Sequence, residues 1–128
     1  MRINLETAKL AKEKGYDESC SSVFVDGIPK ELGGVQRKNS TYQNQITRPI
    51  QSDLQKWLRE VHDIHINIPT YHSISEDKPY GLEINIKRGD QWGYVEYTGD
   101  EAFESYEEAL EYGLQEGLKE IKQDEGRS

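Results

Sequence analysis

Between Pro49 and Ile121 the spacing of the apolar residues changes period twice, and this limits the fold more than any other feature of the sequence. In PIQSDLQKWLREVH, residues Ile50, Leu54, Trp57, Leu58 and Val61 fall at i, i+4, i+7, i+8 and i+11, one stripe along a helix. Pro49 suits an early helical position, and Ser52 with Gln55 forms a capping box if the helix starts later. In DIHINI the period drops to two, with Ile64, Ile66 and Ile68 on one side and His65 and Asn67 on the other. The stretch YGLEINIKRGDQWGYVEYTG then predicts a hairpin. Leu82, Ile84 and Ile86 point in, Glu83, Asn85 and Lys87 point out, and Gly89-Asp90 makes the turn. From Ser105 the helical period returns, with Leu110, Leu114, Leu118 and Ile121 on its inner stripe and a Ser105…Glu108 capping box in front. Gly113 and Gly117 lie beside that stripe, where each costs about 1 kcal/mol relative to alanine. Their position predicts a close approach of the helix backbone to another element.

The first third of the chain is less regular. Asn4 is a candidate N-cap for a short helix ending near Gly15, with Leu5, Ala8 and Ala11 on its stripe. Val23, Phe24 and Val25 favour a strand, and Asp26-Gly27 is a turn pair. Residues 33–48 are polar and turn-rich and read as a long loop. The fold expected is α+β in a single domain over residues 1–128. Residues 1–32 form an N-terminal helix and short strand, 33–48 a loop, 49–122 an α-β-β-β-α core and 123–128 a tail. The core is a small antiparallel sheet of three to four strands against two main helices, with Val23–Val25 docking at its edge.

With 34% hydrophobic and 31% charged residues, the core has to be thin and efficiently patterned. The net charge of −8 is unevenly placed: from Asp100 onward ten acids face three bases. Such a surface repels phosphate backbones and anionic lipid. One cysteine, Cys20, excludes an internal disulfide and fits a reducing compartment as a packing thiol. The start has no apolar signal-peptide core, and no run approaches the ~18 apolar residues of a membrane span. A cytoplasmic protein is expected.

From Gln51 the order of one helix, three antiparallel strands and a second helix resembles the double-stranded-RNA-binding fold. That resemblance implies basic residues at the start of the last helix. This chain has SYEEALE there, so nucleic-acid binding is not the leading expectation. A second resemblance runs from end to end. LETAKLAKEKG, QSDLQKWLREVHDIHINI and SYEEALEYGLQEGLKEI resemble the landmark stretches of a family of small proteins from Bacteroidetes genomes and their phages or prophages. The middle stretch is the most specific. The chain departs from that family where a threonine cap is expected before Gln51 and Ile50 stands instead, and again in the Gly33–Thr47 loop. The resemblance implies a mobile-element origin and assigns no reaction.

Candidate chemistry is sparse. His62, His65 and His72 show no spacing that forces them together on a metal, and His62 at a helix end has a sufficient role with the helix dipole. Arg88-Gly89-Asp90 sits where a hairpin needs its turn. No phosphate loop, nucleophile elbow or Cys/His spacing is present, so no enzyme, catalytic residue, metal or cofactor is expected. Two surfaces remain. One is the acidic outer side of the last helix, Glu107, Glu111, Glu116 and Glu120. The other is an aromatic sheet face carrying Trp92 and Tyr94, with Tyr71, Tyr80 and Tyr97 nearby in sequence. Its burial under the N-terminal segment or a second copy is favoured, because large apolar patches on monomers are uncommon. The expected function is that of a non-enzymatic accessory protein of a phage or mobile element acting on another protein, with a homo-oligomer left open. The alternatives are a nucleic-acid-binding module and a DNA-mimic inhibitor of a host protein.

Overall fold

The computed structural model describes residues 1–41, 44–70, 78–97 and 102–121. Helix α1 (Leu5–Glu13) starts where Asn4 Oδ1 accepts the Thr7 N–H at 2.9 Å, and it stops ahead of Gly15 at φ +97°. Strands β1 (Ser22–Val25) and β2 (Ile28–Glu31) follow as a hairpin. Both turn residues have positive φ, Asp26 at +52° and Gly27 at +79°, the type I′ geometry that the Asp-Gly pair favours.

The stretch expected to be all loop contains a strand. Gln45–Thr47 forms β3 on the other side of β1, so the first sheet has the order β2-β1-β3. Ile46 is its only apolar residue, too little for a visible alternation. Its position is set at a distance by Asn39, which is buried. Asn39 Oδ1 accepts from the Thr47 N–H at 2.8 Å, and its Nδ2 donates to the Tyr16 carbonyl at 2.8 Å. Val23–Val25 therefore centre a sheet of their own and do not dock at the edge of the main one.

Helix α2 (Gln51–His62) has Ile50 as its cap residue and no side-chain acceptor there. The Gln51 N–H donates instead to the Met1 carbonyl at 2.7 Å, while the Ile3 N–H donates to the Pro49 carbonyl at 3.0 Å. The start of the chain thus lies antiparallel beside Pro49–Gln51 and supplies an acceptor for the first N–H of a helix that has no side-chain cap. The Ser52–Gln55 box does not form, because Gln55 Nε2 donates to the Ile66 carbonyl at 2.7 Å. The stripe frays at both ends: Ile50 and Val61 are exposed, while Leu54, Trp57 and Leu58 are buried. Asp63, in the left-handed region at φ +55°, turns the chain into the second sheet.

That sheet is a meander of β4 (Ile64–Asn67), β5 (Leu82–Arg88) and β6 (Gln91–Tyr97), all antiparallel, in the order β4-β5-β6. Ile64, Ile66, Leu82, Ile84 and Ile86 face the helices, as the alternation predicts. Helix α3 (Tyr106–Lys119) opens on its capping box: Ser105 Oγ accepts from the Glu108 N–H at 3.1 Å. The returning bond lands one residue ahead of the cap, with Glu108 Oε1 accepting from the Glu104 N–H at 3.2 Å. Among the described residues the architecture is α+β, with three helices and two small antiparallel sheets sharing one core that runs from Ile3 to Ile121.

The two helical glycines bring α3 against the sheet. A Cβ on Gly113 would lie 2.6 Å from Leu82 Cδ1 and 2.9 Å from Ile66 Cγ2; on Gly117 it would lie 3.2 Å from both Ile64 Cγ2 and Ile66 Cδ1. Gly113→Ala is therefore expected to lower stability by about 1 kcal/mol, overpacking outweighing the gain in helix propensity. Gly117→Ala should stay within about 0.5 kcal/mol of wild type, since the two effects nearly cancel. Urea denaturation of the two variants measures the difference.

Candidate interaction surfaces

The four glutamates of α3 do not form one surface. At about 100° per residue, Glu107 and Glu111 lie on one side of the helix and Glu116 and Glu120 about 180° away from them. Glu111, half-buried, ties α3 to the starts of α1 and α2. Its Oε2 accepts from the Asn4 N–H at 2.9 Å and from the Thr7 hydroxyl, and its Oε1 accepts from Gln51 Nε2 at 2.9 Å. The carboxylate thereby meets the first turns of both α1 and α2, where backbone N–H groups and helix dipoles favour an anion. Gln51 Nε2 also reaches the Glu107 carbonyl at 3.0 Å, and Gln115 Nε2 donates to Thr7 Oγ1 at 2.9 Å. Glu120 Oε1 pairs with Arg88 Nη2 at 3.1 Å, and Glu116 with Lys119 Nζ at 3.2 Å. One member of the expected partner surface is thus an internal joint, and two have cations of their own.

The aromatic face is on the opposite layer. In the β5–β6 register Lys87 lies opposite Trp92, Asn85 opposite Tyr94 and Glu83 opposite Glu96, so these six share the face turned away from the helices. His65 joins them from β4, its ring 5.5 Å from that of Trp92, and Lys87 Nζ stands 6.0 Å from the Trp92 ring centroid. Trp92 is 56% exposed and Tyr94 55%. Cover from the N-terminal segment, one of the two routes to burial expected for this face, is not observed: Val23 and Phe24 are spent on the first sheet and the core beneath α1. Tyr80 is half-buried against Tyr106, with ring centroids 6.3 Å apart. Tyr71 and the Tyr97 side chain lie outside the described residues.

The histidines go separate ways. His62 packs edge-on against Trp57 at 4.8 Å, and burial lowers its pKa from the usual value. That direction is opposite to the one a stabilised cation at a helix C-terminus would take. His65 sits on the outer sheet face, and His72 lies outside the described residues. Among the described residues no group of three His, Cys, Asp or Glu is placed to hold a metal ion, and no helix is long and apolar enough to cross a membrane. Arg88-Gly89-Asp90 is the hairpin turn, with positive φ at Gly89 alone (+64°), as type II′ requires. Cys20 is buried.

A cleft of about 420 Å³ lies between α2 and the segment after α1, lined by Tyr16, Glu18, Lys38, Asp53, Lys56 and Trp57. No pattern of residues along the chain pointed to it. Tyr16 is buried at its base, its ring edge-on to Trp57 at 5.1 Å, and burial pushes its phenol pKa well above the ordinary value. Burial thus favours the neutral phenol over the phenolate there.

No protein family, curated protein or solved structure matches this chain. The run of α2, β4, β5, β6 and α3 is accordingly an order of elements, not a demonstrated double-stranded-RNA-binding fold.

Removing the internal carboxylate tests its role. Glu111→Ala leaves the Asn4 N–H and the Thr7 hydroxyl without their acceptor and is expected to cost about 2–3 kcal/mol. Glu107→Gln and Glu116→Gln should stay within about 0.5 kcal/mol of wild type. Chemical denaturation of the three variants distinguishes a joint from a solvated face.

Proposed function

We propose that this chain is a non-enzymatic accessory protein of a phage or other mobile element of a Bacteroidetes host, acting in the cytoplasm by contact with another protein. The contact is made by the outer face of β4-β5-β6 and not by α3. The observation that carries this reading is the exposure of Trp92 and Tyr94 side by side on a sheet face. Large rigid aromatics are the residue types that dominate protein contacts, and a solvent-facing pair is otherwise a liability. The mobile-element origin rests on the end-to-end resemblance of the three landmark stretches.

Charge favours a protein over a nucleic acid. The same face carries Glu83 and Glu96 beside Lys87, and the chain as a whole has a net charge of −8. A DNA mimic needs a regular acidic surface, whereas Glu111 is tied to the starts of α1 and α2 and Glu116 and Glu120 each have a cation.

An affinity capture from host lysate, with and without nuclease, tests the proposal. Wild type should capture a protein that survives nuclease, and Trp92→Ala/Tyr94→Ala should weaken capture by about thirty-fold or more, as loss of a central hot spot does. Capture that disappears with nuclease would transfer the face to nucleic acid. Capture unchanged in the double variant would remove it from the function altogether.

A further inference from the structure

We infer that the cleft between α2 and the segment after α1 takes an alkylammonium group, which donates to the Tyr16 hydroxyl at the cleft floor between the carboxylates of Glu18 and Asp53.

The first support is an unused hydroxyl. Tyr16 is 2% exposed, yet its hydroxyl makes no hydrogen bond among the described residues. Thr47 Oγ1 is the only fully enclosed side-chain polar atom without a partner among those residues, so the Tyr16 hydroxyl is not sealed in. Its small open area faces the cleft that the residue lines. Tyr16 cannot turn elsewhere for a partner. Its N–H donates to the Ala11 carbonyl at 2.9 Å, its carbonyl accepts from Asn39 Nδ2 at 2.8 Å, and its ring is packed edge-on against Trp57. A phenol held this way, with its polar end left for the cleft, is a preorganised contact for a ligand.

The second support is the charge around that floor. Asp53, Lys56 and Glu60 follow one another along α2 at steps of three and four, and Glu18 and Lys38 complete the wall. All five are exposed, and none makes an ion pair among the described residues. Burial is the largest cause of the raised Tyr16 pKa, and the charges of Cys20, Asp53 and Glu18 add to it in that order. Asp53 and Glu18 are therefore close enough to make the potential at the hydroxyl negative, which favours a cation there. Lys38 acts on Asp17, whose carboxyl the Ser40 N–H chiefly holds below its ordinary pKa. Lys56 lies between Asp53 and Glu60 on the helix and is the cation with which a ligand competes.

Stoichiometry and size agree with that chemistry. A primary ammonium has three donors, and the Tyr16 oxygen and two carboxylates offer three acceptors. A cleft of about 420 Å³ is of small-ligand size, and Trp57 and Val61 line it beside a ligand's alkyl chain. The ammonium belongs to a free amine or to a lysine side chain of another protein. No residue of the cleft is shared with the outer face of β4-β5-β6, so the inference does not depend on the proposed function.

Titration of n-butylammonium chloride into the isotope-labelled chain, to about 50 mM at constant ionic strength, is the test. The backbone amide signals of Glu18, Asp53 and Lys56 should shift saturably, with a Kd of about 1–10 mM. Tyr16→Phe removes no hydrogen bond within the protein, so it should keep the melting temperature while weakening binding about ten-fold. Asp53→Asn should weaken it to a similar degree, and Lys56→Gln should tighten it about two-fold. n-Butanol and sodium acetate are the neutral and anionic controls. Equal shifts from either control overturn the inference. So do the absence of a saturable shift with the amine, and binding unchanged in folded Tyr16→Phe and Asp53→Asn. N-acetyl-lysine-N-methylamide, which ends in the same four-carbon ammonium, separates the sources. Affinity comparable to that of the butylammonium ion assigns the cleft to a lysine side chain, and a clear loss of affinity assigns it to a free amine.

Discussion

The carboxylate of Glu111 is the joint on which the helical layer depends. Among the described residues its hydrogen bonds tie α3 to the starts of both α1 and α2: it accepts from the Asn4 N–H, the Thr7 hydroxyl and Gln51 Nε2. Thr7 and Gln51 are both buried, so their polar groups need partners inside the protein. One anion supplies them where two helices begin, and it is held in place by a third helix. The fully buried apolar residues of α1 are Ala8 and Ala11, with Leu5 and Leu10 only partly buried, a small area to hold a helix of nine residues. Polar ties therefore replace apolar area, which suits a chain with a third of its residues hydrophobic.

The first sheet is fastened in the same way. Arg48 Nη2 meets Glu31 Oε2 at 2.6 Å, and Arg48 Nε meets Ser22 Oγ at 2.9 Å. Arg2 Nη1 donates to the Arg48 carbonyl at 2.8 Å, so the segment that caps α2 is also anchored on the sheet. The Ser22 hydroxyl on Glu31, with Arg2 and Arg48 beside it, holds that carboxyl below its ordinary pKa. These contacts join residues far apart in sequence, and each locates a strand or a helix end that has little apolar pattern of its own.

That difference explains what could be read from the sequence. The second sheet and its helices were legible, because Leu54, Leu58, Ile64, Ile66, Leu82, Ile84, Leu114 and Leu118 repeat at the period of their element and are buried. The Asp26-Gly27 turn and the Ser105 cap were legible as local chemistry. β3 was not, because its place is fixed by Asn39 and Lys12 across the fold. The role of Glu111 was hidden for a related reason: a glutamate on a helix reads as solvated until the ends of two other helices are known to meet it. Spacing alone would have separated Glu111 from Glu116, since a five-residue step turns the helix by about 140°. Trp92 and Tyr94 were placed on one face by alternation, but whether that face is covered depends on where the first sheet goes.

The exposure of Trp92, Tyr94 and Val95 on the last strand follows from the placement of α3. With no side chain at Gly113 or Gly117, the helix backbone settles onto Ile64, Ile66 and Leu82, over β4 and β5. Helix α2 covers β4 from the other side of α3. Neither helix reaches far enough to cover β6, and Val95, on the helix-side face, stays open along with Trp92 and Tyr94 on the outer one. A larger residue at position 113 would push the helix away from the sheet; it would not slide it across to β6, because Leu82 and Ile66 block that site. The close fit that completes the core is thus what leaves the last strand standing clear of it. Trp92 and Tyr94 therefore stand exposed on a strand that the core holds by one face only, and an exposed aromatic pair there is the kind of feature a protein contact uses.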